Sequence, residues 1–304
     1  MYALVHRDAE QCSHVLTQVG FHVRIVDPPV RQEEIQGEFL RTHIHTEWCC
    51  GADEFIKLYA YQAFDEPLFV HVDIDFAFVQ PMDEVFDALL YDGTTPRGQA
   101  ARQRILVERG GVLANQSGIP TRIDAFWTRD WSQIVPGYIP GMQAGFWVAK
   151  RDPSILKELI AIIRVGHYEK GWGKGWGNQG YGRYVGSMAM QGLMAYYYDV
   201  IRPNTSAELN PCRYNHMGMT VKYTAHPNFR PKHPQVGECR NNRGDDCEEC
   251  THTHWTKSIV FIILNVRQQQ HTTHHALYDW MLWIHSLSIV AAPSDCVFAP
   301  NVPS

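Results

Sequence analysis

Two carboxylates separated by one residue interrupt an apolar run, Leu68-Phe69-Val70-His71-Val72-Asp73-Ile74-Asp75-Phe76-Ala77-Phe78-Val79-Gln80-Pro81. The flanking residues read as a buried strand that stops at a proline a central strand could not hold. An ionised carboxylate buried without a partner is costly, so the pair calls for a cation, a basic side chain or a local break in the sheet. Two solvated acids at a strand end would fit the same spacing. A divalent metal is the chemistry this pattern could serve: oxygen ligands suit magnesium and manganese, and both ions bridge a protein carboxylate to a substrate diphosphate. Asp-x-Asp is short and common by chance, so its meaning depends on what surrounds it.

Other residues with chemical potential lie downstream. Cys239, Cys247 and Cys250 fall close together, with Cys212 upstream and His226, His233, His252 and His254 interspersed. Cys247-Glu248-Glu249-Cys250 has the spacing of half a zinc site, but no second such pair exists; disulfides in an oxidising compartment fit the pattern better, and reduced thiols of a cytosolic protein fit it too. Gly171 to Gly182 alternates glycine with aromatic residues and lacks the Gly-Lys-Ser/Thr ending of a phosphate-binding loop. It reads as a mobile loop with flat apolar faces, suited to stacking on a sugar or equally to a plain linker. Asn115-Gln116-Ser117 and Asn204-Thr205-Ser206 match the glycosylation acceptor pattern.

The elements that position these residues follow from periodicity. Tyr2 to His6, Ala9 to Val19 and Phe21 to Val26 form a strand, helix, strand unit, with Cys12, Val15, Leu16 and Val19 on the inward helical face and Gly20 as terminator. Asp53 caps a helix running to about Phe64, with Phe55, Leu58, Tyr59 and Ala63 inward and Lys57 one position off that face. The Asp73 strand follows, then an amphipathic helix from Met82 to Leu90 with Asp83 and Glu84 in its first turn. Periodicity fades from Tyr91 to Tyr138, which reads as a long insertion or lid. Ala144 to Ala149 is a strand, and Asp152-Pro153 opens a helix to about Arg164. Gly186 to Tyr198 reads as a helix carrying Gln191 midway, and the chain from Pro203 is rich in loops.

The chain has 304 residues, 45% of them hydrophobic and 19% charged, enough for one large domain or two ordinary ones with a real core. A net charge of -5 and an isoelectric point near 6.3, with no basic stripe, give no reason to expect a nucleic-acid partner. No secretory signal opens at Met1, and the apolar stretch from Ala276 to Ala292 carries Asp279 and His285, which argues against a simple membrane span.

Taken in order, the Phe55-Ile56-Lys57-Leu58-Tyr59-Ala60-Tyr61 helix, the Asp73-Ile74-Asp75 strand and Val79-Gln80-Pro81-Met82-Asp83-Glu84-Val85-Phe86-Asp87 resemble glycosyltransferase family 8, the glycogenin-like group. Further similarities are Gln143-Ala144-Gly145 to the family's Asn-Ala/Ser-Gly strand, Gln191-Gly192-Leu193 to its Asp-Gln-Gly segment, Tyr214-Asn215 to its Tyr-Asn continuation, and His254-Trp255-Thr256 to its His-Phe-Thr strand. The resemblance covers roughly residues 1–257. It implies an α/β fold of the GT-A type, a Rossmann-like nucleotide-sugar transferase sheet flanked by helices and lacking its first strand, followed by an atypical tail over 258–304. It implies a manganese or magnesium ion on Asp73, Asp75 and His254, a UDP-sugar donor held by Lys57, Asp73, Ala144 and Gly145, and Gln191 near the anomeric carbon. The activity implied is metal-dependent transfer of a hexose, with retention, to a glycan, protein or lipid acceptor. The implied location is the Golgi lumen if a membrane anchor precedes this sequence, and the cytoplasm otherwise.

Some residues depart from the family pattern. Met190 stands where the family has an acid, Gln143 where it has asparagine, and Ser258 to Val266 where a Gly-x-x-Lys-Pro-Trp type of ending supplies a phosphate-binding lysine, with Lys257 a poor substitute. Two rival readings follow: an inactive glycan- or nucleotide-binding relative, and a haloacid-dehalogenase-like phosphatase. The latter would use Asp73 as nucleophile with Gly244-Asp245-Asp246 as its late acidic motif, but the polar Glu238 to Arg243 replaces the apolar strand that motif needs.

Overall fold

The computed structural model describes residues 1–47, 51–73, 76–108, 122–130, 138–217, 258–260 and 287–289. Strands β1 (Tyr2–His6) and β2 (His22–Val26) are parallel, joined by a 3-10 turn (Arg7–Cys12) and the short helix α1 (Ser13–Gln18). Gly20 ends the crossover at φ 94°, a left-handed position that suits glycine. The helix buries Leu16, with Ala9 buried in the preceding turn, whereas Val19, expected inward, is exposed, because α1 stops a residue earlier and turns it away. Cys12 is engaged in a disulfide.

After α2 (Glu38–His43) comes an eleven-residue 3-10 helix, Gly51–Tyr61, where an α-helix was expected. Its Phe55, Ile56, Leu58, Ala60 and Tyr61 are buried nearly all round it, with Lys57 among them, whereas Tyr59 and Ala63, expected inward, are half-buried. Then follow β3 (Leu68–Val72), β4 (Phe76–Phe78), α3 (Asp83–Leu90), α4 (Pro96–Glu108), β5 (Ala125–Arg129) and β6 (Met142–Lys150). Helix α5 (Pro153–Val165) is capped by Asp152, whose Oδ1 accepts the Ser154 N–H at 2.8 Å, with proline in the first turn. A small hairpin of β7 (Tyr168–Glu169) and β8 (Gly175–Trp176) leads to α6 (Met190–Tyr196), which runs into a π-helical turn over Tyr197–Ile201. The remaining described elements are β9 (Ser206–Glu208), α7 (Pro211–Tyr214), β10 (His216–Met217), β11 (Ser258–Val260) and β12 (Leu287–Ile289).

The central sheet is mixed, in the order β3-β6-β5-β9, with β6 antiparallel to both neighbours and β5 parallel to β9. Strand β6 is buried on both faces. Trp147 points into a core shared with Phe69, Trp127, the 3-10 helix, α5 and α6, while Phe146 and Val148 point into a second core with Phe126, α3 and α4. Helices therefore flank the sheet on both sides, which defines a mixed α/β architecture. Two smaller sheets, β12-β1-β2 and β10-β11-β4, complete it, so strands at 258–260 and 287–289 pair with elements from the first part of the chain.

The stretch from Tyr91 to Tyr138, expected as an insertion or lid, instead contains helix α4 and the central strand β5. Helix α4 is polar on average and anchors through Ala101 and Ile105, so its apolar period is thin. Its start nevertheless carries a signal like that of α5: Thr95 Oγ1 accepts the Gly98 N–H at 3.1 Å, and proline follows the cap. The glycine-rich stretch also departs from expectation. Trp176 and Tyr181 are core residues, and Tyr181 donates to Asp199 Oδ2 at 3.0 Å. Asp199 is held by Arg129 Nη2 at 2.7 Å, and Arg129 also donates from Nε to Glu208 at 3.2 Å. Of the aromatic residues in that stretch, Trp172 is the exposed one. Among the described residues, no helix is long and apolar enough to cross a membrane.

Candidate functional site

Strand β3 leaves the central sheet at Asp73. Its N–H donates to the Gly145 carbonyl at 3.0 Å as a last rung against β6, its carbonyl accepts the Phe76 N–H at 3.1 Å, and the chain then enters a different sheet as β4. The break frees the Asp73 side chain from strand packing. Gly145 faces it across the register, and a β-carbon there would lie 2.9 Å from Asp73 Oδ2 and 3.0 Å from Gln143 Oε1. Glycine is required here by close approach rather than by backbone angle.

A polar floor supports this end of β6. Gln143 Oε1 accepts the Gly145 N–H at 2.7 Å and an Nδ2–H of Asn215 at 3.3 Å, and Asn215 also donates to Thr128 Oγ1 at 2.8 Å. Segments far apart in sequence, Asp73, Gln143-Ala144-Gly145 and Tyr214-Asn215, thus meet at one place. Ala144 turns its methyl into the core, so it can offer a ligand its backbone alone.

Lys57, on the buried face of the 3-10 helix, puts Nζ 2.9 Å from Asp73 Oδ1 and 3.2 Å from Oδ2. Its second partner is Glu54 Oε1 at 3.1 Å. Burial alone would discharge the lysine, but the Asp73 and Glu54 carboxylates outweigh that and hold its pKa above the ordinary value. Burial likewise opposes ionisation of Asp73, yet the Lys57 ammonium and the His71 ring bring it down to about 2. His71 Nε2 lies 3.4 Å from Asp73 Oδ1, and the ring stacks on Trp147 with centroids 3.9 Å apart. Burial pushes its pKa down to about 4, against the pull of Asp73. At neutral pH the site is therefore an ionised acid, a permanent ammonium and a neutral imidazole.

Glu54 was not singled out by motif, although its i, i+3 spacing to Lys57 on a helical stretch is a readable pairing signal. Its other oxygen, Oε2, accepts the Met190 N–H at 3.1 Å, which ties the first residue of α6 to the Lys57–Asp73 pair. Gln191 follows directly, in the first turn of α6 rather than mid-helix, since Gly186 to Ala189 are not helical. Its Oε1 is shielded from water and has no hydrogen-bond partner among the described residues, and Met190 beside it is fully buried. Asp75 and His254, the other expected metal ligands, and the cysteines and histidines from His226 to His254 lie outside the described residues. Among the described residues, no three His, Cys, Asp or Glu side chains are grouped as a metal site.

The Lys57 ammonium and the Asp73 carboxylate thus neutralise each other at 2.9 Å, with Glu54 as the second partner of the lysine. No protein-family model matches the chain, and no curated protein sequence matches it.

Proposed function

We propose that this chain is a metal-dependent retaining glycosyltransferase of GT-A type that moves a hexose from a UDP-sugar to an acceptor. The observation that supports it best is the Lys57–Asp73 pair, 2.9 Å apart at the broken end of β3 and opposite the Gly145 gap. A nucleotide diphosphate needs both charges: Asp73, with Asp75 and His254, would hold manganese or magnesium, and Lys57 would balance a phosphate oxygen. Bound there, the metal supplies Lewis-acid stabilisation of the departing diphosphate. Gln191, whose buried Oε1 lacks a partner among the described residues, is assigned to the anomeric carbon.

A specific observation favours a second reading, an inactive nucleotide- or glycan-binding relative: Met190, where the resemblance calls for an acid, is a fully buried apolar side chain. The discriminating experiment incubates the full chain with manganese and a panel of UDP-sugars and measures UDP release. The transferase reading expects turnover that falls at least about a hundredfold in Asp73→Asn and about tenfold or more in Lys57→Met. UDP binding without turnover supports the inactive relative. Phosphate release from simple phosphate esters, with no UDP-sugar turnover, supports a phosphatase and refutes both.

A further inference from the structure

Three alternate backbone amides leading to Gln191 end on carboxylates. The Gly186 N–H donates to Glu47 Oε1 at 3.0 Å, the Met188 N–H to Glu47 Oε2 at 2.8 Å, and the Met190 N–H to Glu54 Oε2 at 3.1 Å. Gly186 and Met188 precede α6 and Met190 is its first residue, so no helical carbonyl is available to any of these amides. Gln191 directly follows Met190, and its side chain lies close to the Gly186 backbone. A β-carbon on Gly186, which sits at φ 76°, would lie 2.9 Å from Gln191 Cγ. A displacement of this backbone therefore carries the Gln191 side chain with it.

Glu54 differs from Glu47 in what its second oxygen does. It accepts from Lys57 Nζ at 3.1 Å, and Lys57 in turn holds Asp73. Its side chain is 14% exposed, so these bonds are little screened by water. One carboxylate thus joins the backbone that presents Gln191 to the cation beside Asp73. From this we infer that Glu54 is a positioning residue: it couples the occupancy of the Lys57–Asp73 side of the site to the placement of Gln191. When a phosphate oxygen engages the Lys57 ammonium, the bond from Lys57 to Glu54 is altered, and Glu54 passes the change to the Met190 amide and so to Gln191. The catalytic part of this inference rests on the transferase reading; the mechanical coupling does not.

Glu54→Gln separates the two roles of the side chain, because its amide oxygen still accepts the Met190 N–H while the charge facing Lys57 is gone. With manganese and the UDP-sugar that wild type turns over, Glu54→Gln is expected to lower kcat about tenfold while donor KM stays within about threefold, the pattern of an interaction realised in the transition state. An unchanged kcat overturns the inference. Hydrogen exchange gives a readout independent of activity. In Lys57→Met, which removes the bond from Lys57 to Glu54, exchange in the 186–196 segment is expected to change about threefold or more, with α5 as internal reference. No change there overturns the coupling. A wild-type protein that turns over no donor refutes the transferase reading, and the exchange result still decides the coupling.

Discussion

At Asp73 a carboxylate sits beside a strand end with its charge shared among Lys57, His71 and water, since its side chain is 31% exposed. The tolerance for extra atoms is small. Gly145→Ala would put a methyl against Asp73 Oδ2, so the variant is expected to fold, with melting temperature within a few degrees of wild type, and to lose about tenfold or more in manganese or donor affinity by calorimetric titration. An unaltered affinity would mean that Asp73 is not used as a ligand. His71 gives a pH signature in metal-free protein. Its folded pKa of about 4 lies below its ordinary 6.5, so its contribution is fully present above 6.5 and is lost as pH falls through that window towards 4. The loss amounts to about 3 kcal/mol. His71→Phe, which keeps a ring against Trp147, is expected to flatten the fall of denaturation midpoint between those two pH values. Asp73 stands out by its spacing, and Lys57 and Gly145 by the resemblance, and the structure brings these three together. Glu54 escaped because its significance depends on the Met190 amide, a partner 136 residues away.

The elements differ in how plainly the sequence announced them. A strong cap marks α5, first-turn acids with an apolar period mark α3, an apolar run marks β6, and the strand, helix, strand start is present at residues 2–26. Helix α4 and β5 went unseen because neither carries a full apolar period of its own: α4 is mostly polar, and β5 ends at Arg129, whose charge is neutralised by Asp199 and Glu208. The glycine-rich hairpin is concealed in the sequence for a related reason. Trp172 and Trp176 are the same residue type four positions apart, yet one is 71% exposed and the other wholly buried, a difference only tertiary packing decides. Several of its glycines are structural rather than permissive. Gly175 sits at φ 119°, and a β-carbon there would lie 2.2 Å from the Tyr181 carbonyl oxygen. Gly175→Ala is therefore expected to cost about 2 kcal/mol or more in urea denaturation, whereas a freely moving loop would lose nothing.

At the scale of the whole molecule, strands near both ends of the sequence enter sheets with distant partners. Ala3 pairs with Leu287, and Val260 pairs with Phe76. The resemblance marks 258–304 as an atypical tail, and a missing motif does not report strand pairing, which depends on register and on an available edge. Deleting residues 258–304 removes β11 and β12, uncovers one edge of β1 and takes from β4 its partner among the described strands. The shortened chain is expected to melt several degrees lower and to aggregate on heating, as read by light scattering alongside circular dichroism. The passage from β3 to β4 places Asp73 between two separately paired strands. Only three residues separate Val72 from Phe76, and each flanking strand is locked in register with a different sheet. A one-residue slip of β3 against β6 would move Asp73 away from Gly145 and turn Val72 to the other face of the sheet, so the register of β3 is itself a condition for the Asp73–Gly145 approach.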